Sequence, residues 1–338
     1  MKENNQKGGK IIYHRIGAGV CTLAIVLSLS TVHNGGARSL NFKNYNTDNT
    51  SIISSLTDTS TFNFKTAPGV TIRNGKTHYN LPGIPTRYLS KYESIPVNLN
   101  GTSTSISAIK VNDITYLPLQ AFCEKVTTTS YNYNPNTKTA TVRMQGLEIQ
   151  ITDSGYVMYA NGRTLFSFSP AILMSNNKMY VTGEALCRAL GLKISEQSGK
   201  INVSGKYAPL KSADSYYRED EVYWLSKIIN AEANGESLLG QIAVGDVILN
   251  RVKSNLYPNT IYSVIFDRKY GVQFSPILDG RIYEEPSYTA ILAAKICLEG
   301  TSLTDNAMFF LNPVTAQSNW IVKNRQYAYT IGNHDFYI

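Results

Sequence analysis

The stretch that decides the fold of the C-terminal part of the chain is residues 221–236, which read EVYWLSKIINAEANGE. Leu225, Ile228 and Ile229 have the spacing of one helix face, and Glu232 falls on that same face. A carboxylate among apolar neighbours is costly unless it is protonated, paired or functional. Burial raises the pKa of a carboxyl, as a general acid working near neutral pH requires. The alternative is a structural Glu232 paired with an arginine, for which Arg251 is a candidate.

The pattern around this helix predicts a mainly helical α+β domain with a small sheet over residues 220–338. The predicted helices are 221–234, 238–254, 261–266 and 288–299, and the predicted strands are 307–311 and 327–331. Glu236 follows the expected helix end at Asn234-Gly235. A second carboxylate so close to Glu232 would raise the pKa of Glu232 further.

Several motifs of this domain occur in the order of a known family. They are AEANGE (231–236), GQIAVG (240–245), VILNRV (247–252), VQFS (272–275) and IGNHDF (331–336). Together they resemble the spore cortex-lytic, SleB/CwlJ-type cell wall hydrolase family over nearly all of residues 220–338. The resemblance implies a lysozyme-like fold, Glu232 as the catalytic acid and, for the better understood branch, lytic transglycosylase action. The sequence departs from the family at Asn230, where the family often has histidine.

The reaction that the resemblance implies is cleavage of the glycosidic bond between N-acetylmuramic acid and N-acetylglucosamine in peptidoglycan. A lytic transglycosylase uses one glutamate as acid and then as base, whereas a hydrolase needs a second carboxylate, for which Glu236 is the nearest candidate. We favour the mechanism with one glutamate. The substrate-binding candidates are Glu236, Gln273, Ser275, Asn312 and Tyr327, each of which has a structural role as its alternative.

The central part, residues 96–205, contains an internal near-repeat. Tyr116 and Tyr180 are 64 residues apart, and so are Cys123 and Cys187. Each half predicts a strand, a helix and two strands, and further strands with a hairpin turn at Asn161-Gly162 lie between the halves. The pattern resembles the copper amine oxidase N-terminal-like, or stalk, domain, which implies a spacer or wall-binding module without copper. We expect the two cysteines to fill equivalent core sites, with a disulfide between them as the minor alternative.

The N-terminus predicts export. Basic residues precede the uncharged run 16–32, so residues 1–37 are expected to be a hydrophobic helix that serves as a cleaved signal peptide or as a membrane anchor. The protein would then act outside the cytoplasm, secreted or anchored at the cell wall or spore cortex. Residues 38–95, rich in Asn, Thr and Ser, and residues 206–219 are predicted to be linkers.

Composition excludes several function classes. The net charge of +8 is not concentrated in any basic run, which favours attraction to an anionic cell wall over nucleic-acid binding. Of four histidines only His334 lies in the C-terminal part, so neither a metal nor another cofactor is expected. Two alternatives remain: a non-catalytic cell-wall-binding protein, and a cysteine peptidase or N-acetylmuramoyl-L-alanine amidase, in which Cys297 would pair with His334. The position of Cys297 near a helix C-terminus disfavours its thiolate.

Overall fold

The structure is a computed structural model of the 338-residue chain. It describes residues 24–25, 40–41, 70–73, 76–79 and 92–338, except 112, 175, 176, 305 and 317, and for the described residues before 92 it describes only the backbone. Most of the predicted signal peptide or anchor 1–37 and most of the predicted linker 38–95 lie outside the described residues. Backbone contacts divide the chain into two units, Met1–Ser55 and Leu56–Ile338.

In the first unit, strand β1 (Ala24–Ile25) pairs antiparallel with β2 (Leu40–Asn41). Two residues of the predicted hydrophobic helix are therefore in a strand, because a short apolar run is compatible with either conformation. Among the described residues, no helix has the length and the apolar character needed to span a bilayer.

The predicted linker 38–95 contains β2, two further strands and the start of a fourth strand at Glu93, which departs from the expectation of a segment without regular structure. Strands β3 (Val70–Arg73) and β4 (Lys76–Tyr79) form an antiparallel hairpin. They extend a sheet of the C-terminal domain, described below. The pattern within the segment does not reveal these strands, because the pairing partner is a distant strand that offers backbone groups at a sheet edge.

The central domain places both halves of the repeat in two sheets over one core. Its elements are β5 (Glu93–Leu99), β6 (Thr102–Val111), β7 (Ile114–Pro118), α1 (Leu119–Val126), β8 (Thr129–Asn134), β9 (Thr139–Met144), β10 (Leu147–Thr152), β11 (Val157–Ala160), β12 (Arg163–Phe166), β13 (Ile172–Leu173), β14 (Met179–Thr182), α2 (Gly183–Leu190), β15 (Lys193–Gln197) and β16 (Lys200–Ser204). The seven-stranded sheet has the order β13-β14-β7-β6-β5-β16-β15, and β8 to β12 form a meander. The predicted repeat of strand, helix and two strands is confirmed.

Equivalent positions of the two halves perform equivalent packing roles. Strands β7 and β14 pair antiparallel, and the helix that follows each of them contributes a buried cysteine. Cys123 and Cys187 are free thiols in one core, as expected, and burial raises the pKa of each to about 12. At the predicted hairpin, Asn161 and Gly162 have φ angles of 50° and 77°, as a tight turn between antiparallel strands requires.

The C-terminal domain is mainly helical, as predicted. Its elements are α3 (Ala213–Tyr216), α4 (Glu219–Ala233), α5 (Leu238–Lys253), α6 (Ile261–Ile265), α7 (Pro276–Asp279), a 3₁₀ turn (Arg281–Tyr283), α8 (Tyr288–Leu298), β17 (Phe309–Leu311), α9 (Trp320–Asn324), β18 (Tyr327–Ile331) and β19 (His334–Tyr337). Helices α4, α5 and α8 enclose the core. The sheet has the order β17-β19-β18-β4-β3. The sequence did not predict α7, α9 or β19, which are short and gain their stability from tertiary contacts.

A buried ion-pair network joins the central and C-terminal domains. The carboxylate of Glu299, which follows α8, accepts hydrogen bonds from Arg163 (2.9 and 2.7 Å) and Arg188 (2.6 Å) of the central domain. Tyr217, in the predicted linker 206–219, donates a fourth hydrogen bond at 2.6 Å, and the guanidinium of Arg163 lies 3.4 Å from the ring centre of Tyr216. The linker is therefore itself part of the contact between the two domains.

Candidate active site

Helix α4 carries Glu232 to the edge of the C-terminal core. Its first turn contains three acidic residues, which stabilise the helix through its dipole. Leu225, Ile228 and Ile229 are fully buried, which confirms the apolar face predicted from their spacing. Glu232 lies on that face as the last residue but one of the helix, and it is only partly buried. The carboxyl group is thus held by a rigid element at a boundary between core and solvent.

The electrostatic environment of Glu232 favours its protonated form. Burial raises its pKa from the usual value to about 7, with a smaller contribution in the same direction from Asp279. The guanidinium groups of Arg281 and Arg251 act in the opposite direction. Within the described part of the chain, no hydrogen bond or ion pair engages the Glu232 carboxylate, so the structural pairing with Arg251 is not formed. A carboxyl group with these properties can serve as a proton donor near neutral pH.

The 3₁₀ turn near Glu232 is held by the side chains of Arg281, Asp279 and Lys227, none of which was predicted from the sequence as part of the site. Arg281 donates to the carbonyl oxygen of Ala231 at 2.9 Å and to the carboxylate of Asp279 at 2.9 Å. Lys227 on α4 is buried and donates to the carbonyl oxygens of Tyr283 (3.2 Å) and Glu284 (2.7 Å). In the sequence, Lys227 lies between the apolar residues Leu225 and Ile228. A lysine in such a position indicates that its ammonium group has a partner elsewhere in the fold.

Arg251, near the end of α5, lies behind this site. Its Nε donates to the carbonyl oxygen of Met308 at 2.8 Å. Its guanidinium is surrounded by the rings of Tyr257, Phe274 and Phe309, whose centres are 5.0 to 5.4 Å away. Burial lowers the pKa of this guanidinium, and the carboxylate of Glu232 is among the groups that raise it. An arginine is therefore present near Glu232 without being paired to it.

The carboxylate of Glu236 is engaged by hydrogen bonds, whereas the second carboxylate of a hydrolase must be free to act as nucleophile or to activate water. Its two carboxylate oxygens accept from the backbone N–H (3.1 Å) and the side-chain amide (2.8 Å) of Asn333, in the turn between β18 and β19. A Cβ atom on Gly332 would collide with Glu236 Oε2. His334 is buried with its Nδ1 3.8 Å from Glu236 Oε1, and burial lowers its pKa. These contacts indicate that Glu236 anchors the turn.

The structure places the remaining binding candidates in two loops. Gln273 donates to the carbonyl oxygen of Gly271 at 3.0 Å, and the neighbouring Ser275 is exposed before α7. Since Phe274 between them packs against Arg251, this loop lies on the Arg251 side of the site. Asn312 accepts from the backbone N–H of Val314 at 2.9 Å. No contact between described residues joins Gln273, Ser275 or Asn312 directly to Glu232.

Tyr327 is the first residue of β18, and its hydroxyl lies 2.9 Å from Thr330 Oγ1. A cleft of about 450 Å³ is lined by Leu311, Pro313, Ala316, Ser318, Asn319 and Val322 and does not include Tyr327. Trp320 follows the lining residue Asn319 in the sequence, and its ring is exposed and available for contact with a ligand.

Two other site types find no support. Cys297 is completely buried in the helical core, where its thiol donates to the carbonyl oxygen of Ile242 at 3.4 Å and burial raises its pKa well above the usual value. It therefore cannot act as the nucleophile of an amidase. Among the described residues no cluster of three or more His, Cys, Asp or Glu side chains could hold a metal ion. Asn230, the departure from the family motif, has a structural contact. Its side-chain oxygen accepts a hydrogen bond from the backbone N–H of Ser287 and so connects α4 to the start of α8.

Comparisons with known proteins identify both domains. Residues 235–337 match the Cell Wall Hydrolase family, and residues 97–204 match the Copper amine oxidase N-terminal domain, as the motifs indicated. Glu232 lies three residues before the first of these matches.

Curated relatives include the spore cortex-lytic enzymes of Bacillus cereus and Bacillus subtilis, 39% and 36% identical over 120 residues. These 120 residues are 36% of this chain, 45% of the first relative and 38% of the second, so the chain spans less than half of their length. A solved structure, the catalytic domain of the germination-specific lytic transglycosylase SleB from Bacillus anthracis, is 38% identical with a TM-score of 0.33; the match covers 36% of this chain and 97% of that one. The chain therefore contains a central domain that matches the Copper amine oxidase N-terminal domain and a C-terminal domain that matches the Cell Wall Hydrolase family.

Proposed function

We propose that the C-terminal domain cleaves the glycan strands of peptidoglycan between N-acetylmuramic acid and N-acetylglucosamine, as a lytic transglycosylase of the spore cortex or the cell wall. The observation that carries this proposal is the state of Glu232: a partly buried carboxyl group on a rigid helix, with no ion pair to any described residue and a pKa of about 7. A lysozyme-like arrangement of the helical domain and action outside the cytoplasm belong to the same proposal.

In the proposed mechanism Glu232 acts twice. The protonated carboxyl first gives its proton to the glycosidic oxygen, and the bond from that oxygen to C1 of the muramoyl residue breaks through an oxocarbenium-like transition state. The carboxylate then accepts the proton of the muramoyl 6-hydroxyl while O6 forms a bond to C1. The products are a 1,6-anhydro-muramoyl end and a free 4-hydroxyl on the leaving sugar.

The mechanism with one glutamate is supported by the contacts of Glu236. A hydrolase needs a second carboxylate to act as nucleophile or to activate water. Both oxygens of Glu236 are occupied by Asn333, so this carboxylate is held as part of a turn. The substrate-binding roles of Glu236, Gln273, Ser275, Asn312 and Tyr327 remain predictions. Of these, Gln273 and Ser275 are the best placed, because their loop packs against Arg251.

The experiment that tests the reaction is mass spectrometry of the fragments released from purified peptidoglycan. We expect 1,6-anhydro-muramic ends, which are about 18 mass units lighter than the reducing ends left by a hydrolase because no water is added. Parallel digestions of spore cortex and vegetative wall would identify the preferred substrate. Reducing muramoyl ends would reject the transglycosylase, and release of peptides with intact glycan strands would reject glycan cleavage altogether.

The pKa of Glu232 predicts how the reaction depends on pH. Because the first step requires the protonated carboxyl, we expect kcat/KM to fall as the pH rises through about 7. An ordinary exposed glutamate would lose its proton near pH 4.3, and activity would then be confined to acid conditions. Initial rates of glycan cleavage measured from pH 4 to 9 on one peptidoglycan preparation check this; a basic limb near pH 4 to 5 would contradict it.

A further inference from the structure

The side chain of Arg251 is buried and makes few polar contacts. Its side chain is 5% exposed, and its single hydrogen bond among the described residues runs from Nε to the carbonyl oxygen of Met308. Its Nη1 is buried and has no hydrogen-bond partner within the part of the chain that the structure describes. A buried cation without a carboxylate partner is costly, so folding alone would favour a neutral residue of similar shape here.

The charges around the site make Arg251 different from Arg281. The groups whose charges act on Glu232 are Arg281, Asp279 and Arg251. Arg281 is paired with Asp279 at 2.9 Å, so the charge of Arg281 acts on Glu232 together with the opposite charge of Asp279. Arg251 has no such neutralising partner among the described residues, and the other charged or titratable groups that act on it are Tyr257 and Asp267.

We propose that Arg251 is a positioning residue of the reaction, whose guanidinium provides the counter-charge for the Glu232 carboxylate after the proton has been donated. This inference rests on the proposed function. In the first step the proton of Glu232 leaves with the glycosidic oxygen, and a carboxylate remains in a poorly hydrated place. A cation held by Met308 and three aromatic rings stabilises that carboxylate until it accepts the proton of the 6-hydroxyl.

The separation between the two groups is essential to this role. A direct ion pair would hold Glu232 ionised at neutral pH and would prevent proton donation. A cation too distant to pair, in a site of low polarity, lowers the cost of the ionised form without removing the proton from the resting enzyme. The aromatic rings keep water from the guanidinium and so preserve the strength of its field.

The test compares two substitutions in the full chain. Arg251→Gln retains an amide donor for Met308 but removes the charge, whereas Arg251→Lys retains the charge. For Arg251→Gln we expect the basic limb of the kcat/KM profile to move upward by about one pH unit and kcat to fall about 10-fold. For Arg251→Lys we expect the limb to stay within about 0.3 pH unit of the parent and kcat within about fivefold. Thermal unfolding of both variants reports on the fold.

A second measurement does not depend on activity. Carbon-13 NMR of the glutamate side-chain carboxyls, with Glu232→Gln used to assign the resonance, follows the titration of Glu232 directly. The titration midpoint should move upward in Arg251→Gln and stay in place in Arg251→Lys. A folded Arg251→Gln with unchanged midpoint and unchanged limb overturns the inference.

The remaining outcomes are also decisive. If Arg251→Gln does not fold, Arg251→Lys carries the test, and a 100-fold loss of kcat in a folded lysine variant overturns the inference because the charge is then not sufficient. Failure of the proposed function looks different, since either the parent chain would then leave glycan strands intact or Glu232→Gln would still cleave them. The inference fails independently if Glu232→Gln is inactive while Arg251→Gln leaves the titration of Glu232 unchanged.

Discussion

Glu232→Gln is expected to reduce the rate of glycan cleavage by about 100- to 10,000-fold, the range that a general acid contributes. The amide has nearly the shape of the carboxyl but cannot give a proton to the glycosidic oxygen. Because no hydrogen bond or ion pair between described residues engages the carboxylate, the substitution removes no observed contact, and the fold should be retained. The measurement is the initial rate of muropeptide release from purified peptidoglycan at pH 6.

The matched control is Glu219→Gln. Glu219 lies in the first turn of the same helix and is exposed, so this variant makes the same chemical change far from the proposed site. We expect its rate to equal that of the parent chain. Full lytic activity in Glu232→Gln, with thermal unfolding like that of the parent, would show that Glu232 is not the acid. An equal loss in both variants would indicate a general effect on helix α4.

Glu299→Ala is expected to destabilise the chain by about 3–5 kcal/mol, because it leaves a buried cation uncompensated. Arg163, whose side chain is 7% exposed, loses both of its hydrogen bonds to the carboxylate, and Tyr217 loses the acceptor of its hydroxyl. For domains of this size the loss corresponds to a fall of about 10 °C in the unfolding temperature. Differential scanning calorimetry also reports whether the two domains then unfold in separate transitions.

The control for this prediction is Glu196→Ala, which breaks an ion pair on the surface. Glu196 Oε2 lies 3.0 Å from Lys110 Nζ, and the Glu196 side chain is 40% exposed. Water replaces such a partner at little cost, so we expect no measurable change in the unfolding temperature. If Glu299→Ala also left the unfolding temperature unchanged, the network around Glu299 would not hold the two domains together.

Local features of the C-terminal domain could be predicted because they depend on local spacing. The apolar face of α4 and the place of Glu232 on it follow from the period of the helix, and the strand Tyr327–Ile331 has the predicted bounds. The repeat of the central domain was visible for a similar reason, since each half carries its own strand, helix and turn signals. The family resemblance stated from the motifs agrees with the matches at 235–337 and 97–204.

The sequence by itself thus determined which helix carries the candidate acid and which two domains the chain contains. Only the tertiary structure decided what each charged group contacts. Glu236 contacts Asn333, which is 97 residues away in the sequence, and Glu299 contacts Arg163, which is 136 residues away. Arg251 contacts the carbonyl oxygen of Met308 and, among the described residues, is paired with no carboxylate. The physical reason is that helical and strand periods are set by bonds between near neighbours, whereas the partner of a charge is set by which distant segments the core brings together.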